Sequence, residues 1–76
     1  MEKFIKFLLV NIVDQPKAIA IDTQEGERGK VYLVDVAEED RGKIIGKEGR
    51  VIQSLRSLVN IKAQKEGQRA FLELNF

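Results

Sequence analysis

The sequence predicts an α+β domain in the order α-β-β-α-α-β, a three-stranded mixed sheet with three helices on one face. Three patterns carry that prediction. Apolar residues at 1, 4, 5, 8, 9 and 12 follow the i, i+3, i+4 spacing of an amphipathic helix. Two stretches rich in β-branched and apolar residues flank a charged loop that contains Gly26 and Gly29. Two further helical patterns meet at a short turn, Gly46-Lys47-Glu48-Gly49.

The elements follow in order. The first helix covers residues 1–13 and ends at Asp14-Gln15-Pro16, because the residue before a proline avoids the α region. Residues 18–21 alternate weakly, with Ile19 and Ile21 on one face, and form a short strand. Residues 24–30 are a hairpin loop by composition. Residues 31–36 form the second strand, with Tyr32, Val34 and Val36 toward the core and Asp35 toward water. Glu38, Glu39 and Asp40 place three acids in the first turn of a helix over 38–45, where they favour its dipole, and Gly46 stops it. Apolar positions 51, 52, 55, 58 and 59, with 61 as a further candidate, define a longer helix over 50–65, ended by Gly67. Residues 69–75 close as a strand with Ala70, Leu72 and Leu74 on one side. The helix pair between the second and last strands is a crossover, which makes those strands parallel neighbours; the hairpin makes the first two antiparallel.

Seventy-six residues suffice for a single domain, 1–76. A chain this short buries only about 60% of its unfolded surface, so a partner would stabilise it. With 43% hydrophobic and 33% charged residues it reads as a globular protein. The chain has no cysteine and no histidine, which removes disulfides, thiolate metal sites and the commonest general base. The carboxylates are scattered, so no enzyme activity, cofactor or metal is expected. The apolar run Phe7-Leu8-Leu9-Val10 is broken by Asn11, with no small-residue cleavage site after it. Nothing reaches the length of a membrane span, and a cytoplasmic protein with no membrane contact is expected.

The net charge of +1 hides an asymmetry. Residues 1–40 carry five Lys/Arg against nine Asp/Glu, whereas residues 41–69 carry eight against two, a net of +6. A basic stretch centred on a glycine turn is the footprint of a polyanion partner. A solvated helix face is the plainer account of the same charges, Arg56 and Lys62 among them.

Gly46 and Gly49 lack a Cβ, so the backbone can adopt unusual dihedrals and a ligand can come close. Lys47 and Arg50 add positive charge, and open N–H groups around Gly49, Arg50 and Val51 at a helix start suit a phosphate. Ile44, Ile45 and Ile52 would partly line a groove beside the turn, with the second strand as its far wall. Core packing accounts better for Ile45, Ile52, Leu55 and Leu58, while Ile44 divides evenly between core and groove. Gly42 is either a weak point or a close-packing point in its helix, and Glu48 opposes phosphate. No aromatic residue lies between Leu33 and Ala70, so no stacking platform is expected near the turn.

The string Ile44-Ile45-Gly46-Lys47-Glu48-Gly49-Arg50-Val51-Ile52, between two helices in this element order, resembles the GXXG region of a type II KH domain. Asp40-Arg41-Gly42-Lys43 before it and Val13-Asp14-Gln15-Pro16 near the start also look like family usage. In length and layout the chain is similar to the small stand-alone bacterial KH proteins of the KhpA type. The resemblance implies a single-stranded RNA partner, about four nucleotides held with low sequence specificity, and a role as RNA chaperone or post-transcriptional regulator. The implied RNA-binding residues are Gly42, Lys43, Ile44, Ile45, Gly46, Lys47, Glu48, Gly49, Arg50 and Ile52. It also implies a homodimer, or a heterodimer with a larger KH-containing RNA-binding protein. Two other readings stay open: a protein-interaction (dimerisation) domain that uses the same turn, and a helix-turn-helix DNA binder, which the strand-rich layout and the few base-reading side chains disfavour.

Overall fold

The computed structural model describes residues 1–76. Helix α1 (Glu2–Val10) buries Ile5 and Leu9, one turn apart, and turns Phe7 and Val10 outward. It stops short of the expected end at Val13. Asn11 Nδ2 donates to the Phe7 carbonyl at 2.7 Å, and the N–H groups of Ile12 and Val13 both fold back on the Leu9 carbonyl. A polar side chain that competes for backbone groups ends the helix, and Val13 enters the core from beyond it.

Pro16–Ala18 form one 3₁₀ turn, its first position set by the fixed φ of proline. The first strand therefore starts two residues later than expected, as β1 (Ala20–Gly26). It pairs antiparallel with β2 (Gly29–Asp35), and the register runs out to Gly26↔Gly29. The expected loop of 24–30 thus shrinks to Glu27 and Arg28. Glu25 opposite Lys30 is an oppositely charged pair that favours this extension.

Tyr32, Val34 and Val36 are buried as expected. The predicted helix over 38–45 splits into a 3₁₀ turn, Glu38–Asp40, and α2 (Arg41–Ile45). Helix α3 (Arg50–Lys65) has the predicted bounds. It ends in a Schellman motif: Gln68 N–H donates to the Ala63 carbonyl at 2.8 Å, Gly67 N–H to that of Gln64 at 3.1 Å, and Gly67 has φ +68°. Strand β3 (Ala70–Leu74) runs parallel to β2, giving the order β1-β2-β3.

The α+β arrangement expected from the sequence is the one observed. The core joins Ile5 and Leu9 of α1, Ile44 of α2, and Ile52, Leu55, Val59 and Ala63 of α3 to Tyr32, Val34, Ala70 and Leu72 of the sheet. Two core assignments change. Ile45 and Leu58 are 38% and 43% exposed, because each follows or faces away from the buried stripe of its helix. No helix is long and apolar enough to cross a membrane.

Candidate nucleic-acid interface

The turn between α2 and α3 is built by its glycines in two different ways. Gly46 has φ +76°, and its N–H donates to the Gly42 carbonyl at 2.9 Å, closing α2. A Cβ placed on Gly46 would lie 2.4 Å from Val51 Cγ2, so both conformation and space demand glycine. Gly49, at φ +73°, has room for a Cβ, with Ile52 Cγ2 at 3.9 Å; its backbone conformation alone makes the demand. Between them Glu48 also takes a left-handed conformation, φ 56° and ψ 26°.

The donors expected at Gly49 and Arg50 are occupied. Gly49 N–H donates to the Gly46 carbonyl at 3.2 Å and Arg50 N–H to the Lys47 carbonyl, so the 3₁₀ turn Lys47–Gly49 consumes them. What the turn presents is side-chain charge. Lys47 is exposed and forms no ion pair, while Arg50 Nη2 lies 3.5 Å from Glu48 Oε2 with both side chains well exposed. An exposed pair of this kind is worth at most about 1 kcal/mol, so Arg50 can exchange it for a phosphate.

At the opposite end of α2 from the turn lies a buried carboxylate. Asp40 has no exposed surface, and it accepts from the N–H groups of Asp14 (3.2 Å to each oxygen) and Gln15 (3.0 Å). Burial pushes its carboxyl up, but the two backbone donors and the Lys43 charge outweigh it and hold the group below its ordinary value. Lys43 Nζ is bonded to Asp14 and lies 3.6 Å from Asp40 Oδ1; the Asp14 hydrogen bond leads in raising its pKa. Lys43 is therefore tied to the link between α1 and β1.

A KH domain has this succession of a short helix, a glycine-flanked turn and a long helix on a three-stranded sheet. The family model for the KH domain of KhpA and KhpB matches residues 2–74. The chain belongs to the KhpA/KhpB KH-domain family. It is 38% identical to the RNA-binding protein KhpA of Chlamydia pneumoniae over 74 residues, 97% of this chain and 95% of that one. The RNA-binding protein KhpA of Caldanaerobacter subterraneus subsp. tengcongensis is 36% identical, with 97% and 99% covered. That of Listeria monocytogenes is 32% identical, with 97% of each chain covered.

Within this KH unit the residues expected at the site separate into two groups. Gly42, Ile45, Lys47, Glu48 and Arg50 are exposed, with Gly46 and Gly49 partly so. Ile44 and Ile52 are buried in the core rather than open to a ligand, because they share the inward faces of α2 and α3. Lys43 is exposed but paired.

Two neighbours were not legible from the sequence. Arg41 Nη2 lies 3.4 Å from Asp35 Oδ1 at the end of β2, and its guanidinium sits 5.0 Å from the centre of the Phe76 ring. The fold thus returns an aromatic, 40% exposed, to the first residue of α2. A contact across 35 positions leaves no local signal in the sequence. The buried role of Asp40 had a faint one, the Lys three residues on; as one of three successive acids it reads as a dipole partner instead.

Proposed function

We propose that this chain binds single-stranded RNA with low intrinsic sequence specificity, the sugar–phosphate backbone lying across residues 46–49 and the bases beside Ile45. The observation that carries this reading is the turn itself: an exposed, unpaired Lys47 and a loosely paired Arg50 on a backbone held in shape by two glycines. Two mobile cations on a rigid, side-chain-poor loop suit a flexible phosphate chain. The name of the relatives, RNA-binding protein KhpA, supports the same reading. Gly42, Ile45, Gly46, Lys47, Glu48, Gly49 and Arg50 are the contact residues in this account; Lys43, Ile44 and Ile52 hold their shape. Residues 1–76 act as one non-catalytic KH unit in the bacterial cytoplasm, as an RNA chaperone or post-transcriptional regulator.

The test is RNA affinity of the variant Lys47→Asp/Glu48→Asp. Asp tolerates the left-handed position, so the fold persists while the turn becomes acidic. Affinity for single-stranded RNA should fall at least tenfold, roughly the effect of 1.4 kcal/mol; unchanged affinity in a folded variant contradicts the proposal.

A second reading is self-association through α3. Leu58 and Ile61, one turn apart, are 43% and 53% exposed, whereas the turn offers Ile45 as its exposed aliphatic side chain. A second copy, or a larger KH-containing RNA-binding protein, would cover that face and double the RNA contacts. Sedimentation of Leu58→Lys/Ile61→Lys should give a monomer where the parent chain gives a dimer; identical sedimentation of the two removes this reading.

A further inference from the structure

At the end of α3 away from the glycine turn lies a hollow of about 420 Å³. Arg28, Arg69, Asn60, Gln64, Gln68 and Phe71 form its polar and aromatic lining, and no carboxylate lines it. Neither arginine takes part in an ion pair. Five of the eight basic side chains of residues 41–69 are paired and Arg69 is not; Arg28 is likewise free, at the tip between β1 and β2.

The backbone fixes their spacing. A Cβ on Gly29 would lie 2.4 Å from the Arg69 carbonyl oxygen, and Lys30 N–H donates to that same oxygen at 3.1 Å. Only a glycine allows this approach, which brings the β1–β2 tip carrying Arg28 against the segment carrying Arg69. The Schellman closure of α3 supplies N–H donors to the Ala63 and Gln64 carbonyls, which lessens the negative end that the helix turns toward the hollow. Phe71, half-buried on the open sheet face, also borders two neighbouring hollows. Glu27 and Glu73 line the one toward Val31 and keep an anion from that side.

We propose that this hollow is a second nucleotide position for single-stranded RNA, separate from the glycine turn. The two guanidiniums grip a phosphate, the Phe71 ring stacks on a base, and the three side-chain amides offer donors and acceptors to base edges. The 16 residues of α3 place it about 24 Å from the turn. A strand of about four nucleotides held at the turn does not reach it, and a longer strand does. The inference rests on the RNA-binding reading but uses none of its contact residues.

The test measures affinity for oligouridylates of about 4 and about 16 nucleotides across a salt series. The variants are Arg28→Gln/Arg69→Gln, Phe71→Leu and Lys47→Asp/Glu48→Asp, with folding checked by circular dichroism. The arginine pair variant should bind the long strand about tenfold more weakly, with a log–log salt slope shallower by about 0.7, the share of the one phosphate the pair grips, and bind the short strand unchanged. Phe71→Leu should weaken only the long strand, by about tenfold, at an unchanged slope. Full long-strand affinity in the arginine variant overturns the proposal, as does an equal loss for both lengths. Uridine monophosphate alone, titrated at the Phe71 amide, should bind far more weakly than the long strand; equal affinity overturns the claim of a strand site. The turn variant separates the two ideas: if it keeps full affinity for the short strand, the turn reading fails and the hollow is judged on its own variants.

Discussion

Glu48 bears a side chain in a conformation that glycine usually takes, φ 56° and ψ 26°, at a cost of about 1–2 kcal/mol. Its carboxylate also sits beside the one arginine of the turn. Glu48→Gly should remove the strain at a smaller entropic cost, so urea denaturation should show a stability equal to or up to about 1 kcal/mol above the parent. RNA affinity should rise as well, because the competitor for Arg50 is gone and the backbone of residue 48 still lies along the strand; a lower affinity would mean that the Glu48 side chain itself favours binding. Asp40 carries a prediction of another kind. A carboxyl held below its ordinary 3.8 contributes stability that is full above that pH and is lost as pH falls through the lowered folded value. The parent chain should therefore lose Tm more steeply in acid than Asp40→Asn, which should be less stable at neutral pH by more than a surface-pair variant such as Lys62→Gln. Lys43, raised above 10.5, works in the opposite sense, and its contribution is lost as alkaline pH rises through the raised value. The glycines of the turn were legible in the sequence because their need is local. The strain at Glu48 and the burial of Asp40 were not, since each depends on what the backbone does around it.

Among the elements, α3 was read to the residue, because a long amphipathic stripe and a glycine stop agree with each other. Helix α1 and strand β1 were misplaced at their junction, where the Asn11 side chain and the Pro16 turn override the apolar periodicity. Helix α2 has five residues, and its second, Gly42, is exposed with nothing within 4 Å of an added Cβ. No packing in the chain demands glycine there, and the proposed reading puts RNA against that open face. Gly42→Ala should thus raise stability by about 0.5–1 kcal/mol in thermal or urea denaturation and at the same time weaken RNA binding. A variant that gains stability with full affinity would place the RNA elsewhere on α2.

The whole molecule alters the charge argument. The +6 of residues 41–69 is real in the sequence, but Arg41, Lys43 and Arg56 are met in space by Asp35, Asp14 with Asp40, and Glu73, all from outside that stretch. Arg56 also donates from Nε to the Leu72 carbonyl at 3.2 Å, which secures the edge of β3. Lys47, Lys65 and Arg69 remain unpaired, so the field is narrower than a linear count implies. Binding of a short strand at the turn should accordingly show a modest salt slope, about −1.4 for two phosphate contacts, and a much steeper one would mean a broader interface. The sheet order and the parallel β2–β3 pair were readable because a helical crossover returns the chain to the starting end of the sheet, whereas the Arg41–Phe76 contact joins distant segments and could only be seen folded. The most direct test of the central claim is an amide chemical-shift titration with a tetranucleotide of single-stranded RNA. The account predicts the largest shifts at Gly42 and residues 45–50, with α1 and the β1–β2 tip unmoved. Shifts that avoid the turn, or none at saturating RNA, would contradict it.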